Sequence, residues 1–403
     1  MRPLVSIIIP VYNGSNYLSD AIDSALSQTY SNVEIIVVND GSTDDTEKIC
    51  LRYGNRIRYI SKENGGVATA LNLGIRNMRG EYFSWLSHDD IYYTSKIETQ
   101  VDILQANRNK DVVIGNIDFL DMATETKRTY DLQTQCDPCD PSKITQGVYP
   151  SLFGVVHACV MLVSKSRIDE VGLLDENLRT TQDIEWIFRL LRGRESVYIR
   201  EPLIAVRLHA MQGKHQIKVY SEEQSKTHIA LLEMVTPDEI AELFENSYMF
   251  YYQMAMFYKR DNDRVAFQYA KTKFEQMERP PMTNSRVSEL RYQLSSFSNG
   301  AATKLCLFGA GNIGQRMQQD LLARGIAVDC FSDNNAKLWG NSISGASVVR
   351  PIDIDKASTL VIVAVEKYDD LLNDLLSLGY LHTVSYRDVI PHIGTAYPVC
   401  IPG

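Results

Sequence analysis

The sequence predicts an α/β protein built as two sheet units, a larger one first and a smaller one last, with helices between them. Three observations predict it. From Val5 to Leu86, β-rich apolar runs alternate with stretches of helical spacing. Glycine is absent from Tyr220 to Ser298. After Asn299-Gly300 an apolar run leads straight into Gly309-Ala310-Gly311-Asn312-Ile313-Gly314. The expected division is residues 1–219, a helical connector at 220–299, and a second α/β unit at 300–403.

Each element has a local reason. Val5 to Ile9, Val33 to Val38, Ile57 to Ile60 and Tyr82 to Leu86 are short apolar runs rich in β-branched and aromatic residues, the mark of buried strands. Tyr17 to Leu26, Thr43 to Tyr53 and Val67 to Met78 carry apolar residues at helical intervals. Ser42 or Thr43 is the expected N-cap of the second helix, with acids in its first turn. Strands alternating with helices imply a parallel sheet covered on both faces. In the connector, Leu231, Leu232, Ile240, Leu243, Met249, Tyr252, Met256 and Tyr258 recur at helical spacing, which reads as packing between helices. In the last unit, Lys304 to Phe308, Ala327 to Phe331 and Leu360 to Val365 read as strands, and Tyr368 to Leu378 as a helix.

Composition narrows the function. Of 403 residues, 44% are hydrophobic and 23% charged, with a net charge of −9. That balance is ordinary for a soluble globular chain and argues against binding nucleic acid through phosphate contacts. It leaves room for peripheral attachment to a membrane. No apolar run reaches the roughly 18 residues of a membrane-spanning helix, and the first ten residues are too short for a signal peptide, so a cytoplasmic setting is expected. Seven scattered cysteines fit reduced thiols. Cys136-Asp137-Pro138-Cys139 lacks a second pair at metal-ligand spacing and reads as a loop.

In a parallel sheet, ligands gather outside the carboxyl ends of the strands. Four polar clusters stand there: Pro10 to Gly14, Asn39 to Ser42, Glu63 to Gly66 and Ser87 to Asp90. Asp89 and Asp90 are adjacent like charges that no simple fold requires. Two carboxylates at a strand end suit a hard cation such as Mg²⁺ or Mn²⁺, which keeps open positions for phosphate oxygens. Asp40, on a neighbouring strand end, can reach another part of the same ligand. Together they point to a metal-bound nucleoside diphosphate.

The residues also carry a resemblance. Ser6-Ile7-Ile8-Ile9-Pro10-Val11-Tyr12-Asn13, Val37-Val38-Asn39-Asp40-Gly41-Ser42-Thr43-Asp44, Asn64-Gly65-Gly66, and Gly80-Glu81-Tyr82 through Asp89-Asp90 resemble the family-2 inverting glycosyltransferases of the GT-A fold, over residues 4 to 212. The resemblance implies that Asp89 is the metal ligand, with Ser87 standing where the family commonly has another acid. It implies that Asp40 reads the uracil or a similar base, that Pro10, Tyr12 and Asn13 frame the nucleotide, and that Asn64 and Gly65 line the donor. Asp183, in Thr180-Thr181-Gln182-Asp183, matches the catalytic base, although Gln182 replaces the usual Glu. His209 matches a histidine that completes the metal or pyrophosphate site, and Arg207 is a phosphate candidate.

Plainer readings stand beside these. Asp40 before Gly41 also suits a turn, Asp183 a helix-dipole acid, and His209 a structural histidine. His88 reads as a solvated loop residue, His157 as an acceptor-side residue, and Asp175 as part of a turn. In the last unit Gly309, Gly311 and Gly314 follow a strand and open a helix, and Asp333 lies near the end of the next strand, the context of a dinucleotide fingerprint. This Rossmann-like unit would bind NAD, a nucleotide sugar, or nothing.

The leading expectation is a metal-dependent inverting transferase that moves sugar from a nucleotide-sugar, foremost a UDP-sugar, to a glycan or lipid-linked acceptor in bacterial surface polysaccharide synthesis. The alternatives are an NAD-dependent sugar-modifying oxidoreductase centred on the last unit, and a non-catalytic nucleotide-sugar-binding scaffold.

Overall fold

The structure is a computed structural model that describes residues 2–132, 140–209, 220–244, 246–277, 302–322 and 326–365, with isolated positions up to 385. The Cys136–Cys139 pair and most of the helix expected at 368–378 lie outside the described residues. The chain divides into two compact units, Met1–Glu278 and Arg279–Gly403.

The first unit is organised on a seven-stranded sheet. Its centre is β1 (Val5–Val11), whose residues are all buried, as expected of a strand covered on both faces. β1 pairs in parallel with β2 (Val33–Asp40) and β4 (Tyr82–Trp85), and β2 pairs in parallel with β3 (Arg58–Lys62). The four strands therefore end on one edge, which gathers the four polar clusters there. Pairing with β4 stops at Ile8↔Trp85, so Pro10, which has no N–H to donate, sits where β1 has only β2 beside it.

The four expected strands are parallel, and the sheet becomes mixed beyond them. Beyond β4 comes Leu162–Ser164, antiparallel to both its neighbours, then Val112–Gly115 and Val197–Ile199. The second helix, α2 (Thr46–Arg52), also starts later than expected. Thr43 and Asp44 bond elsewhere: the Thr43 amide donates to Asn13 Oδ1, and Asp44 takes the amides of Ser15 and Thr46. Those residues tie two loops together instead of opening a helix.

A smaller four-stranded sheet orders Ile91–Tyr92, Ile204–Leu208, Ile117–Asp121 and Thr126–Tyr130. Its strand Ile204–Leu208 pairs with Ile91–Tyr92, immediately after Asp90. That pairing brings Arg207 and His209 across more than a hundred residues of sequence to the acid pair.

The helices Tyr220–Met234, Pro237–Phe244, Ser247–Arg260 and Arg264–Glu275 belong to the first unit and share its core. Tyr149 and Phe244 rings lie 5.3 Å apart, and Phe153 and Phe257 rings 5.5 Å apart. Asp263 caps the last of these helices through the Ala266 amide and also meets His228 Nδ1 at 2.9 Å. The aromatic and Met content that marked this stretch is thus spent on packing.

The second unit has its own six-stranded sheet and its own buried clusters. Lys304–Phe308 lies centrally, in parallel with Cys330–Ser332 and Thr359–Val363. The helix Asn312–Leu322 follows it directly.

Candidate active site

The first two loops are stitched by backbone donors. Asn13, in the left-handed region with φ 49°, sends its amide to Ser42 Oγ at 2.9 Å and receives the Thr43 amide at 2.8 Å. The Gly14 amide reaches Thr46 Oγ1 at 3.2 Å. Gly14 must lack a side chain, since a Cβ there would lie 2.3 Å from His88 Cδ2 and 2.6 Å from Val11 Cγ2. His88 is accordingly half-buried and not the solvated loop residue expected. Burial lowers its imidazole pKa, against the pull of Asp89. Tyr12 projects from this loop, 49% exposed.

Asp40 is 3% exposed and ties the third loop to the second. Its carboxylate accepts from the Gly65 amide at 3.0 Å, the Gly66 amide at 2.7 Å and Lys62 Nζ at 2.5 Å. Lys62 in turn reaches the Glu63 carbonyl and Thr69 Oγ1. The loop carrying Asn64 and Gly65 is thereby folded around Asp40, with both residues themselves exposed.

The two acids part company. Asp90 is 2% exposed and accepts the Arg207 amide at 3.2 Å. Burial, and then the Asp89 carboxylate beside it, push its pKa well up. Asp89 is the more accessible, and its Oδ2 stands 3.0 Å from His209 Nε2. His209 Nδ1 is buried and has no hydrogen-bond partner among the described residues. The Tyr17 ring lies 4.9 Å from the His209 ring and 4.9 Å under the Arg207 guanidinium. Arg207 also donates to the Asp89 carbonyl at 3.0 Å and to Asp20 at 2.6 Å. Asp90 is thus the buried brace, and Asp89 with His209 forms the outward-facing pair.

Ser87 Oγ lies 3.2 Å from the Sγ of buried Cys159, so the residue replacing the expected first acid faces a thiol. His157 Nδ1 accepts the Cys159 amide, and Asp175 holds Asn177 in a turn.

Asp183 is the second residue of the helix Gln182–Leu191. It is half-buried, and loss of solvent raises its carboxyl pKa, while the amides of Ile184 and Asp183 lower it. Both ends of this helix are anchored. Buried Arg167 donates to the carbonyls of Leu190, Arg189 and Arg192. At the start, Glu223 accepts from Arg179, Thr180 and Thr181.

Sequence reasoning did not single out Tyr17, Asp20, Lys62 or Glu223. Each acts through a partner distant in sequence, so no local motif marks it.

In the second unit Gly309 has φ 110°, and a Cβ on Gly314 would lie 1.9 Å from the Gly309 carbonyl oxygen. Both glycines are needed by the tight strand-to-helix turn itself. A Cβ on Gly311 would meet nothing within 4 Å. Asp333 Oδ2 accepts the Ala310 amide at 2.8 Å, which bridges the turn to the next strand.

Comparison with known proteins places the first unit. Residues 6–170 match the family described as Glycosyl transferase family 2. An uncharacterized glycosyltransferase of Rickettsia prowazekii is 40% identical over 293 residues, covering 72% of this chain and 91% of that protein. The chain belongs to glycosyl transferase family 2. The GT-A fold and the transferase class follow from that membership. An uncharacterized glycosyltransferase of Rickettsia felis is 45% identical over 259 residues, 63% of this chain but 42% of that longer protein. The minor teichoic acid biosynthesis protein GgaB of Bacillus subtilis is 29% identical over 189 residues, 45% of this chain and 20% of that one.

Proposed function

We propose that this family-2 glycosyltransferase moves a sugar, with inversion, from a nucleoside-diphosphate sugar to a hydroxyl of a glycan or lipid-linked acceptor. The donor in this reading is a UDP-sugar, and the setting is bacterial surface polysaccharide assembly. One observation carries it: Asp89 and His209 converge to 3.0 Å on the sheet edge where the Pro10–Asn13, Asp40 and Asn64–Gly65 loops meet. An alliance of carboxylate and imidazole beside backbone-rich loops is a phosphate-side arrangement. The name of the teichoic acid relative supports the polysaccharide setting. A lipid-linked acceptor would put the reaction at the inner face of a membrane; no helix among the described residues is long and apolar enough to cross one.

Among the described residues no three His, Cys, Asp or Glu surround one point. Two protein ligands nonetheless fit Mg²⁺ or Mn²⁺, which bind through one or two side chains and fill the rest of their shell with phosphate oxygens and water. Asp89 and His209 would hold the ion. When bound, it supplies positive charge opposite the departing diphosphate.

The remaining work falls to side chains. Tyr12 offers an exposed ring to the base, and Asp40 keeps a lone pair for its edge beyond the bonds it already accepts. Arg207 steadies the Asp89 backbone and adds positive charge on the phosphate side. Asp183 takes the proton from the acceptor hydroxyl as that oxygen attacks the anomeric carbon. Its raised pKa makes it a stronger base than a solvated carboxylate.

The reading is tested by thermal shift with UDP-, GDP- and dTDP-sugars and with NAD, each with Mn²⁺ and with EDTA. At 100 times Kd a ligand adds roughly 2.7 kcal/mol. Stabilisation by a UDP-sugar that vanishes in EDTA is expected; stabilisation by NAD alone, indifferent to metal, would overturn it. Asp183→Asn is expected to lower kcat by roughly 10²–10⁴-fold with donor binding kept, and unchanged turnover would remove Asp183 from its role.

A further inference from the structure

The stretch before Asp183 is held by an acid from a different helix. Glu223, on the helix Tyr220–Met234, accepts five hydrogen bonds from three consecutive residues. The Arg179 amide reaches Oε2 at 3.0 Å. The Thr180 amide and hydroxyl both reach Oε1 at 2.6 Å. The Thr181 amide and hydroxyl reach the same oxygen at 2.9 and 3.0 Å. Thr181 Oγ1 also meets Thr227 Oγ1 of the same distant helix at 2.7 Å, and both threonines are buried.

This is an unusual use of a helix start. Thr181 stands at the N-cap of Gln182–Leu191, yet its hydroxyl makes no capping bond to that helix. A threonine there ordinarily accepts from the amide two or three residues on. Here the hydroxyl is turned away and given to Glu223 and Thr227. Local helix stability is set aside, and the start of the helix is tied to a second element. The other end is fixed by Arg167 on three carbonyls. The helix is thus pinned at both ends, and Asp183 lies two residues past the pinned turn.

Taking Asp183 as the base, we propose that Glu223 is its positioning residue: by fixing Arg179–Thr181 it sets the place from which the first turn presents the Asp183 carboxylate. Burial pushes the Glu223 carboxyl up, but the bonds from Thr180, Arg179 and Thr181 outweigh it and hold the group at about 2. The clamp therefore stays charged throughout the range in which Asp183 works. Glu223, like Asp183, lies beyond the residues 6–170 that match the family.

The test compares Glu223→Ala, Glu223→Gln and Asp183→Asn in the full chain. Turnover is read as nucleoside diphosphate released from a panel of UDP-, GDP- and dTDP-sugars with Mn²⁺. Binding is read by titration with UDP and Mn²⁺, and the fixed turn by hydrogen exchange over residues 179–185. A misplacement of about 1 Å costs roughly 10²-fold, so Glu223→Ala should lower kcat by that order with UDP affinity unchanged. Its exchange at 179–184 should rise while that at 13–46 stays the same. Asp183, wetter in this variant, should carry the acid limb of kcat to lower pH. Glu223→Gln keeps an oxygen where four of the five bonds converge and should restore much of the rate; it also serves if the alanine variant does not fold. Unchanged exchange at 179–184, or unchanged kcat beside an inactive Asp183→Asn, overturns the role of Glu223. Full turnover in Asp183→Asn instead overturns the base assignment, whatever Glu223 does.

Discussion

Lys96 shows how far a single residue can depart from its sequence appearance. It opens the helix Lys96–Ala106, where a lysine reads as a solvated surface group, yet it is 0% exposed. Its ammonium donates to Ser84 Oγ at 2.9 Å and Gln100 Oε1 at 2.8 Å and lies 4.3 Å from the centre of the Tyr92 ring. Burial, with no carboxylate beside the ammonium among those contacts, brings its pKa down from 10.5 to about 7. The unfolded chain then holds more protons than the folded one between about pH 7 and 10.5, so stability rises with pH across that window. Urea unfolding at pH 6.5 and pH 9 should show wild-type stability gaining about 2–3 kcal/mol relative to Lys96→Met. Parallel pH dependence in the two proteins would show that Lys96 keeps its proton inside the fold. Nothing in the sequence could announce this, because the groups around Lys96 come from Ser84, Tyr92 and Met161. By contrast the acid pair was legible as a pair: adjacent charges after an apolar run are conspicuous. Its division into a buried brace and a more accessible carboxylate was not, since that depends on the Arg207 amide, 117 residues away.

At the scale of elements, what the sequence reveals is periodicity, and what it hides is how ends are fastened. β1, β2, β3 and β4, with the helices between them, are found where their apolar runs stand, so the gathering of four loops on one edge could be anticipated. The antiparallel Leu162–Ser164 could not, because a three-residue strand carries no period, and the small second sheet could not, because it pairs Ile204–Leu208 with Ile91–Tyr92 and Ile117–Asp121, far off in sequence. α2 starts later than its acids suggest for a different reason: Asp44 looks like a first-turn acid but works as a crosslink. One oxygen takes the Ser15 amide at 2.9 Å, the other the Thr46 amide at 3.0 Å. Burial pushes this carboxyl up, and bonds from Thr46 and Ser15 outweigh that and hold it at about 2. Its stabilising share is present at neutral pH and is lost only as pH falls through that value. Asp44→Ala should cost about 1–2 kcal/mol in chemical denaturation at pH 7. Because the lost bond frees the loop bearing Tyr12 and Asn13, donor affinity should fall as well. Normal UDP binding in a destabilised Asp44→Ala would separate the loop's stability from its function.

At the scale of the whole molecule, the two units keep separate interiors. The large buried cluster runs from Val5 to Phe274, while the clusters of the last unit start at Leu305 and Cys306. All residues assigned to the donor, the ion and the base fall in the first unit, and so do Glu223 and its helix. A chain ending at Glu278 should therefore fold and give the same Mn²⁺-dependent thermal shift with a UDP-sugar as the full chain. Loss of that shift would mean that the last unit completes the donor site. The same pair of proteins asks what the Gly309–Gly314 turn is for. Gly309 and Gly314 are required by the turn's own packing, but the space off Gly311 is open. That is the one glycine of the three whose presence packing leaves to a ligand. Stabilisation of the full chain by NAD or a nucleotide sugar that disappears both on truncation and in Gly311→Val would assign the turn a ligand. Identical melting of the full chain with and without those ligands, once the donor site is blocked by UDP and Mn²⁺, would leave Gly311 as a residue of the turn alone.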